Sequence, residues 1–255
     1  MSKIIDSHFH IWEIETIPLN WLSTNARLNR NFVFEDLEKA YKNLLFVGGL
    51  YIESASEDFA KEMEFISKQN NPKILGVCVA DEKYLCEAKS FREILHIQGA
   101  KRSLQKDFLE NLEKLFCLNL PFEACMKTEE ICSLKNLLLA FPKLKIILNH
   151  MGNPNKEYFL AYQEEIKVLS RYSNLYVKLS PPDDFSRDTS WEFIVEIFRC
   201  LLQGFGEDRI IFGSNFPVSL LQPMEWIERI QKSRVFKNPA KIFYQNAVGF
   251  YKLKL

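Results

Sequence analysis

The chain has 255 residues, 47% of them hydrophobic and 26% charged, and its 33 Lys and Arg balance its 33 Asp and Glu. A polypeptide of this length buries a full core without disulfides or structural metals, and a zero formal charge gives no field that would draw in nucleic acid or anionic lipid. The expected partner is a small-molecule substrate, not nucleic acid and not a membrane, and the oligomeric state stays open. Cys78, Cys86, Cys117, Cys125, Cys132 and Cys200 include no C-x-x-C pair. They read as reduced thiols packed as small hydrophobes, which fits a cytoplasmic location. The opening MSKIIDSHFH lacks the apolar segment of a secretory signal, and nowhere is there an apolar run of about 18 residues that would span a membrane.

In chain order, short apolar runs alternate with amphipathic ones. KIIDS (3–7) is the first strand, and the long stretch 11–31 after it is expected at the C-terminal face, where active-site loops sit. LFVGGLYIE (45–53) is the second strand; the helix over 57–69 places Phe59, Met63 and Ile66 on one face. ILGVCVA (74–80) and IQGAKRS (97–103) are the third and fourth strands, the latter followed by a helix over 107–116. LPFEAC (120–125), LKIILNH (144–150), LYVKLS (175–180) and RIIFGS (209–214) complete the set, with helices over 129–141, 159–172, 190–205, 224–233 and 239–251. Strands this rich in Val, Ile, Leu and Phe are those buried on both faces of a parallel sheet. Eight repeated strand–helix units predict an α/β fold, a (β/α)₈ TIM barrel forming one domain over 1–255, with a doubly wound open sheet as the alternative.

The candidate chemistry sits at strand ends. His8 and His10 flank Phe9 just after the first strand, and side chains two apart on a strand face the same way, so both imidazoles can share one metal ion or one substrate group. His150 ends the sixth strand ahead of Met151-Gly152-Asn153-Pro154. Lys101 and Arg102 close the predicted fourth strand and Lys178 sits in the seventh; a charge in an apolar strand is costly unless it faces a polar site, so each is a candidate to bind a substrate carboxylate, with an ion pair as the equal alternative for Lys178. Glu53 and Glu123 are either acid–base groups or partners of these cations. His96 shows no partner pattern and reads as surface or packing. No phosphate loop, dinucleotide fingerprint or nucleophile elbow is present, which removes nucleotide-binding and serine-hydrolase readings.

Five stretches, IIDSHFHIW (4–12), PLNWLSTNARLNRNFVFEDL (18–37), LKIILNHMGNP (144–154), NLYVKLS (174–180) and DRIIFGSNFPVSLL (208–221), resemble the amidohydrolase-2 branch of the amidohydrolase superfamily, in particular lactonases of the L-fuconolactonase and 2-pyrone-4,6-dicarboxylate lactonase type. The tail IFYQNAVGFYKL (242–253) matches the usual ending. The resemblance implies a hydrolase of a small lactone or carboxylated cyclic ester. His8, His10, His150 and the position of Asn215 would form the catalytic set, and Lys101, Arg102, Lys178 and Glu123 would serve substrate binding. It implies one divalent metal, zinc first, held weakly by His8, His10 and His150, or a metal-free site. The chain departs from the family at the eighth strand, which usually ends Gly-Ser-Asp-Trp-Pro; here Gly213-Ser214-Asn215-Phe216-Pro217 puts an amide where the water-activating carboxylate belongs. Two alternatives follow from that change: a catalytically impaired barrel that binds a small carboxylated ligand, or a non-hydrolytic, decarboxylase-like relative.

Overall fold

The computed structural model describes residues 2–95 and 100–255. Eight strands pair in parallel, each with the next in sequence: β1 (Lys3–Phe9), β2 (Leu45–Ile52), β3 (Ile74–Val79), β4 (Ser90–Ile94), β5 (Phe122–Cys125), β6 (Ile146–Leu148), β7 (Leu175–Leu179) and β8 (Ile210–Phe212). The ring is completed where β1 meets the segment after β8. There Asn215 N–H donates to the His8 carbonyl at 2.8 Å, His10 N–H donates to the Phe216 carbonyl at 2.7 Å, and Phe9 bridges Phe216 in parallel. This is the expected (β/α)₈ barrel, and the open-sheet alternative falls with the closure.

Around it lie α1 (Phe34–Ala40), α2 (Phe59–Lys68), α3 (Lys106–Leu118), α4 (Leu134–Ala140), α5 (Phe159–Leu169), α6 (Trp191–Phe205), α7 (Pro223–Ser233) and α8 (Asn246–Tyr251). The sequence logic is clearest in α6. Ser190 caps it by accepting from Phe193 N–H, and Phe193, Ile194, Ile197, Phe198, Leu201 and Phe205 recur at helical spacing and are buried against the sheet. Among the described residues, no helix is long and apolar enough to cross a membrane.

One predicted strand is misplaced. Strand four is Ser90–Ile94, not 97–103; residues 97–99, like His96, lie outside the described residues, and Ala100–Leu104 form a 3₁₀ turn. The true strand reads SFREI, and its Arg92-Glu93 pair interrupts the apolar run that marks a buried strand. Burial of Arg92 is balanced by Glu53 on β2's end, whose carboxylate accepts from Nε at 2.6 Å. The short helix α1 was not among the predicted elements, and β3 reaches β4 through a 3₁₀ turn at Glu82–Glu87 instead of an α-helix.

Inside the barrel, Ile5, Leu50, Ile147 and Ile211 form an apolar layer that packs against Phe250, Tyr251 and Leu253. Beside it lies a buried charge network. Lys178 donates to Glu123 at 2.5 Å and to the Ser7 carbonyl at 2.9 Å, while Ser90 and Tyr251 hydroxyls donate to the other Glu123 oxygen at 2.8 and 2.9 Å. Burial alone would raise the Glu123 carboxyl, but the Lys178 ammonium outweighs it and holds Glu123 below the usual carboxylate range.

A second buried carboxyl is not neutralised in this way. Glu62 of α2 accepts from Tyr51 Oη and Ser54 N–H, both at 2.6 Å, while its Oε2 has no partner. Burial, and then the nearby Glu53, push it up to about 7. The unfolded chain ionises this group near 4.5 and the folded chain only near 7, so folding stability falls as pH rises across that window and is flat above it. Glu62→Gln is expected to flatten that slope. At pH 8 it should stabilise the fold by up to roughly 3 kcal/mol, because each tenfold difference in proton affinity between folded and unfolded chain is worth about 1.4 kcal/mol. Urea melts of both proteins at pH 5 and 8 check this; an unchanged difference between the two pH values would contradict it.

Candidate active site

Three imidazoles from distant parts of the chain converge at the C-terminal end of the barrel. The His8 ring lies 5.1 Å from that of His10 and 4.6 Å from that of His150, centroid to centroid, both edge-on. All three are buried. Burial and then the Lys178 cation depress His8 well below its ordinary value; burial and then Arg92 do the same to His10; burial brings His150 to about 4. At neutral pH the three rings are uncharged.

On two of the rings, hydrogen bonds place the proton. His10 Nδ1 lies 2.8 Å from the Ile52 carbonyl, an obligate acceptor, so Nδ1 is protonated and Nε2 keeps its lone pair. Lys178, an ammonium already donating to Glu123 and Ser7, stands 3.4 Å from His8 Nδ1 and offers it a third proton. His8 therefore carries its own proton on Nε2, an atom that is buried and has no partner among the described residues. Ser180 Oγ accepts from the His150 backbone N–H at 3.2 Å and lies 3.0 Å from His150 Nδ1, a contact that either tautomer of the ring can make.

The local backbone is built to present these groups. His150 and Met151 adopt left-handed φ values of 50° and 58°, and Asn215 has φ 55°, conformations non-glycine residues take mostly where surrounding structure enforces them. At β8, a Cβ on Gly213 would stand 2.8 Å from the His8 Cβ, so only glycine lets this strand pass the His8 side chain. Asp6 clamps the joint. Its carboxyl accepts from Ser214 N–H at 2.9 Å, Ser214 Oγ at 2.5 Å, Tyr41 Oη at 2.7 Å and His8 N–H at 3.0 Å, while burial raises its pKa.

His10, His150 and Asn215 line a cavity of about 730 Å³ at this end of the barrel. Its walls include Trp21 from the long loop after β1, whose Nε1–H donates to the Ser54 carbonyl at 2.9 Å, together with Ile94, Val218, the cations Arg92 and Lys127, and Asp183. The Asn215 amide donates to the Pro181 carbonyl at 3.1 Å and to Asp183 Oδ1 at 2.8 Å.

Of the predicted site residues, the fold brings His8, His10, His150 and Asn215 together. Lys178 and Glu123 lie beneath them and bind each other, fully buried. Lys101 is exposed on the 3₁₀ turn, and Arg102 pairs with Glu93 and Asp107; neither lines the cavity. The cation at strand four is Arg92, hidden from sequence reading because the strand itself was misplaced. Burial would lower its guanidinium pKa, and Glu53 more than offsets this. Asp6 carried a legible signal, an acid inside an apolar strand; Asp183, in a Pro-Pro-Asp-Asp turn, carried none.

A divalent ion needs lone pairs aimed at one point. Here His8, with Lys178 at its Nδ1, keeps its proton on Nε2, Asn215 is a neutral amide turned by its nitrogen toward two acceptors, and Lys178 adds positive charge behind the rings. Among the described residues no group of three or more His, Cys, Asp or Glu is arranged to hold a metal. The residues present do not fit a resident ion.

Comparison with known proteins agrees with this architecture. The profile of the family described as amidohydrolase (Amidohydro_2) matches residues 5–253. An L-fucono-1,5-lactonase of Burkholderia ambifaria is 22% identical, over 99% of this chain and 97% of its own. An amidohydrolase of Burkholderia multivorans solved with bound zinc superposes with a TM-score of 0.85 at 17% identity, covering 99% of this chain and all of the other. A Pseudomonas putida structure named for a 2-pyrone-4,6-dicarboxylic acid hydrolase superposes at 0.83 with 18% identity, over all of this chain and 99% of that one. With nearly its whole length accounted for by one profile, the chain belongs to the amidohydrolase family.

Proposed function

We propose that this protein hydrolyses a small lactone bearing a carboxylate, using neutral histidines in place of a metal. The observation that carries the reading is the convergence of the His8, His10 and His150 rings at one end of the barrel, where His10, with a lone pair on Nε2, and His150, its Nδ1 beside the Ser180 hydroxyl and its Nε2–H in this reading the donor, line a cavity walled by Arg92. Donors fixed before the reaction stabilise the oxyanion that forms when water adds to a carbonyl, and in a dry site they need no reorganisation. The lone pair of His10 accepts a hydrogen bond from the attacking water. Arg92 and Lys127 attract the substrate's carboxylate, Arg92 through guanidinium N–H groups held in place by Glu53. The names of the relatives, a sugar lactonase and a pyrone-dicarboxylic acid hydrolase, both describe cyclic esters, and the second describes one that bears carboxylates.

The test is a panel of lactones that includes L-fucono-1,5-lactone and 2-pyrone-4,6-dicarboxylate, with products identified by mass spectrometry. Expected is a product that has gained water, faster turnover for carboxylated members, and loss of turnover in His10→Ala. Dialysis against a chelator should leave the rate unchanged. Absence of turnover across the panel, with or without added zinc, would overturn the hydrolase reading; a product lacking carbon dioxide would replace it with decarboxylation.

A further inference from the structure

We propose that Asp183, on the loop after β7, is the general base of this site, standing in for the carboxylate that β8 lacks, with Asn215 as the residue that positions it. The proposal rests on the hydrolase reading above and goes beyond it. An amide at 215 cannot take a proton from water, and that reading gives the proton no destination. Asp183 lines the same cavity as His10, His150 and Asn215, and its Oδ1 accepts from the Asn215 amide at 2.8 Å.

The geometry at Asn215 argues that the exchange is built in. Both amide protons are committed, one to the Pro181 carbonyl and one to Asp183, which leaves Oδ1 to accept from a water held beside the carboxylate. An aspartate at 215 would set an anionic oxygen against those same two acceptors. The amide is thus the residue that fits next to Asp183, and restoring the family's carboxylate would break the contact.

The step balances simply. One water proton passes to the Asp183 carboxylate while the water oxygen bonds to the lactone carbonyl carbon, and the carbonyl π pair moves onto oxygen under the N–H of His150. As that oxyanion collapses, the ring C–O bond breaks and the departing alkoxide takes the proton back from Asp183. The sum is lactone plus water to hydroxy acid.

The experiment compares wild type, Asp183→Asn, Asn215→Asp and the double exchange Asp183→Asn/Asn215→Asp on the two named lactones, with circular dichroism to confirm folding. Asp183→Asn keeps an acceptor for Asn215, so kcat should fall roughly 10²–10⁴-fold with KM changed little. Asn215→Asp alone should also lose activity. The double exchange, which restores an acid facing an amide with the roles reversed, should regain at least about tenfold over Asp183→Asn, a share of what a positioned base contributes. If wild type turns over and Asp183→Asn stays within a few-fold of it, or if Asn215→Asp exceeds wild type, the base assignment is wrong and the hydrolase reading stands. A wild type inert across the whole lactone panel overturns both.

Discussion

Lys178→Met is expected to destabilise the barrel by about 3–5 kcal/mol, the usual result of deleting one member of a buried ion pair. The loss is not of the Coulomb attraction alone. Glu123 would remain fully buried, with only Ser90 and Tyr251 hydroxyls as donors, and burial would then govern its carboxyl, raising it until it takes up a proton. The double variant Lys178→Met/Glu123→Gln removes both charges and keeps an acceptor for the two hydroxyls. It should recover more than half of the lost stability in urea melts. A double variant no more stable than the single one would show that the network acts by packing and not through charge. Recovery of the fold should not bring recovery of turnover. Without the Lys178 ammonium at His8 Nδ1, nothing keeps the His8 proton on Nε2, and the ring that packs against both His10 and His150 is no longer held in one tautomer.

His150→Ala is expected to lower kcat by roughly 10²–10³, the effect of removing one preorganised oxyanion donor, with KM within a few-fold of wild type. A pure binding role would move KM instead. Ser180→Ala sharpens the test. The alanine leaves the imidazole in place but removes the hydroxyl beside its Nδ1, so a smaller loss in kcat is expected. If Ser180→Ala matched His150→Ala, Ser180 would itself contact the reacting atoms. Because burial brings His150 to about 4, the ring keeps one protonation state from pH 6 to 8 and its share of the rate should be constant across that range. A rate that changed with an apparent value near 6.5 would place a solvated histidine in the mechanism.

The sequence made most of this fold legible because seven of the eight strands are apolar runs bounded by polar helical stretches, and that contrast is what burial on both faces imposes. Ser90–Ile94 breaks the rule. Its Arg92 and Glu93 are tolerated because Glu53 and Arg102, remote in sequence, neutralise them, and no local pattern announces a partner supplied by the folded ring. The histidines were legible for the opposite reason: H-x-H at a strand end and a histidine at another strand end are positions that the barrel itself brings to one mouth. For Lys178 the two readings, ion pair and substrate contact, were balanced, and the buried bond to Glu123 decides for the pair. Asp183 could not be foreseen, since its meaning depends on an amide more than thirty residues away that becomes its neighbour only through the turn after β7.

The clamp between Asp6 and Ser214 joins residues 208 positions apart. It is the seam of the ring, and His8 and Asn215 lie on either side of it. A contact of such long range is among the last a chain forms, because the entropy of closing so large a loop is recovered only when the intervening units are already in place. Partly folded species, whatever their helix content, therefore have no binding site at all. A ligand that fluoresces on binding would act as a clock for closure of the seam, its signal lagging the recovery of helical dichroism during refolding.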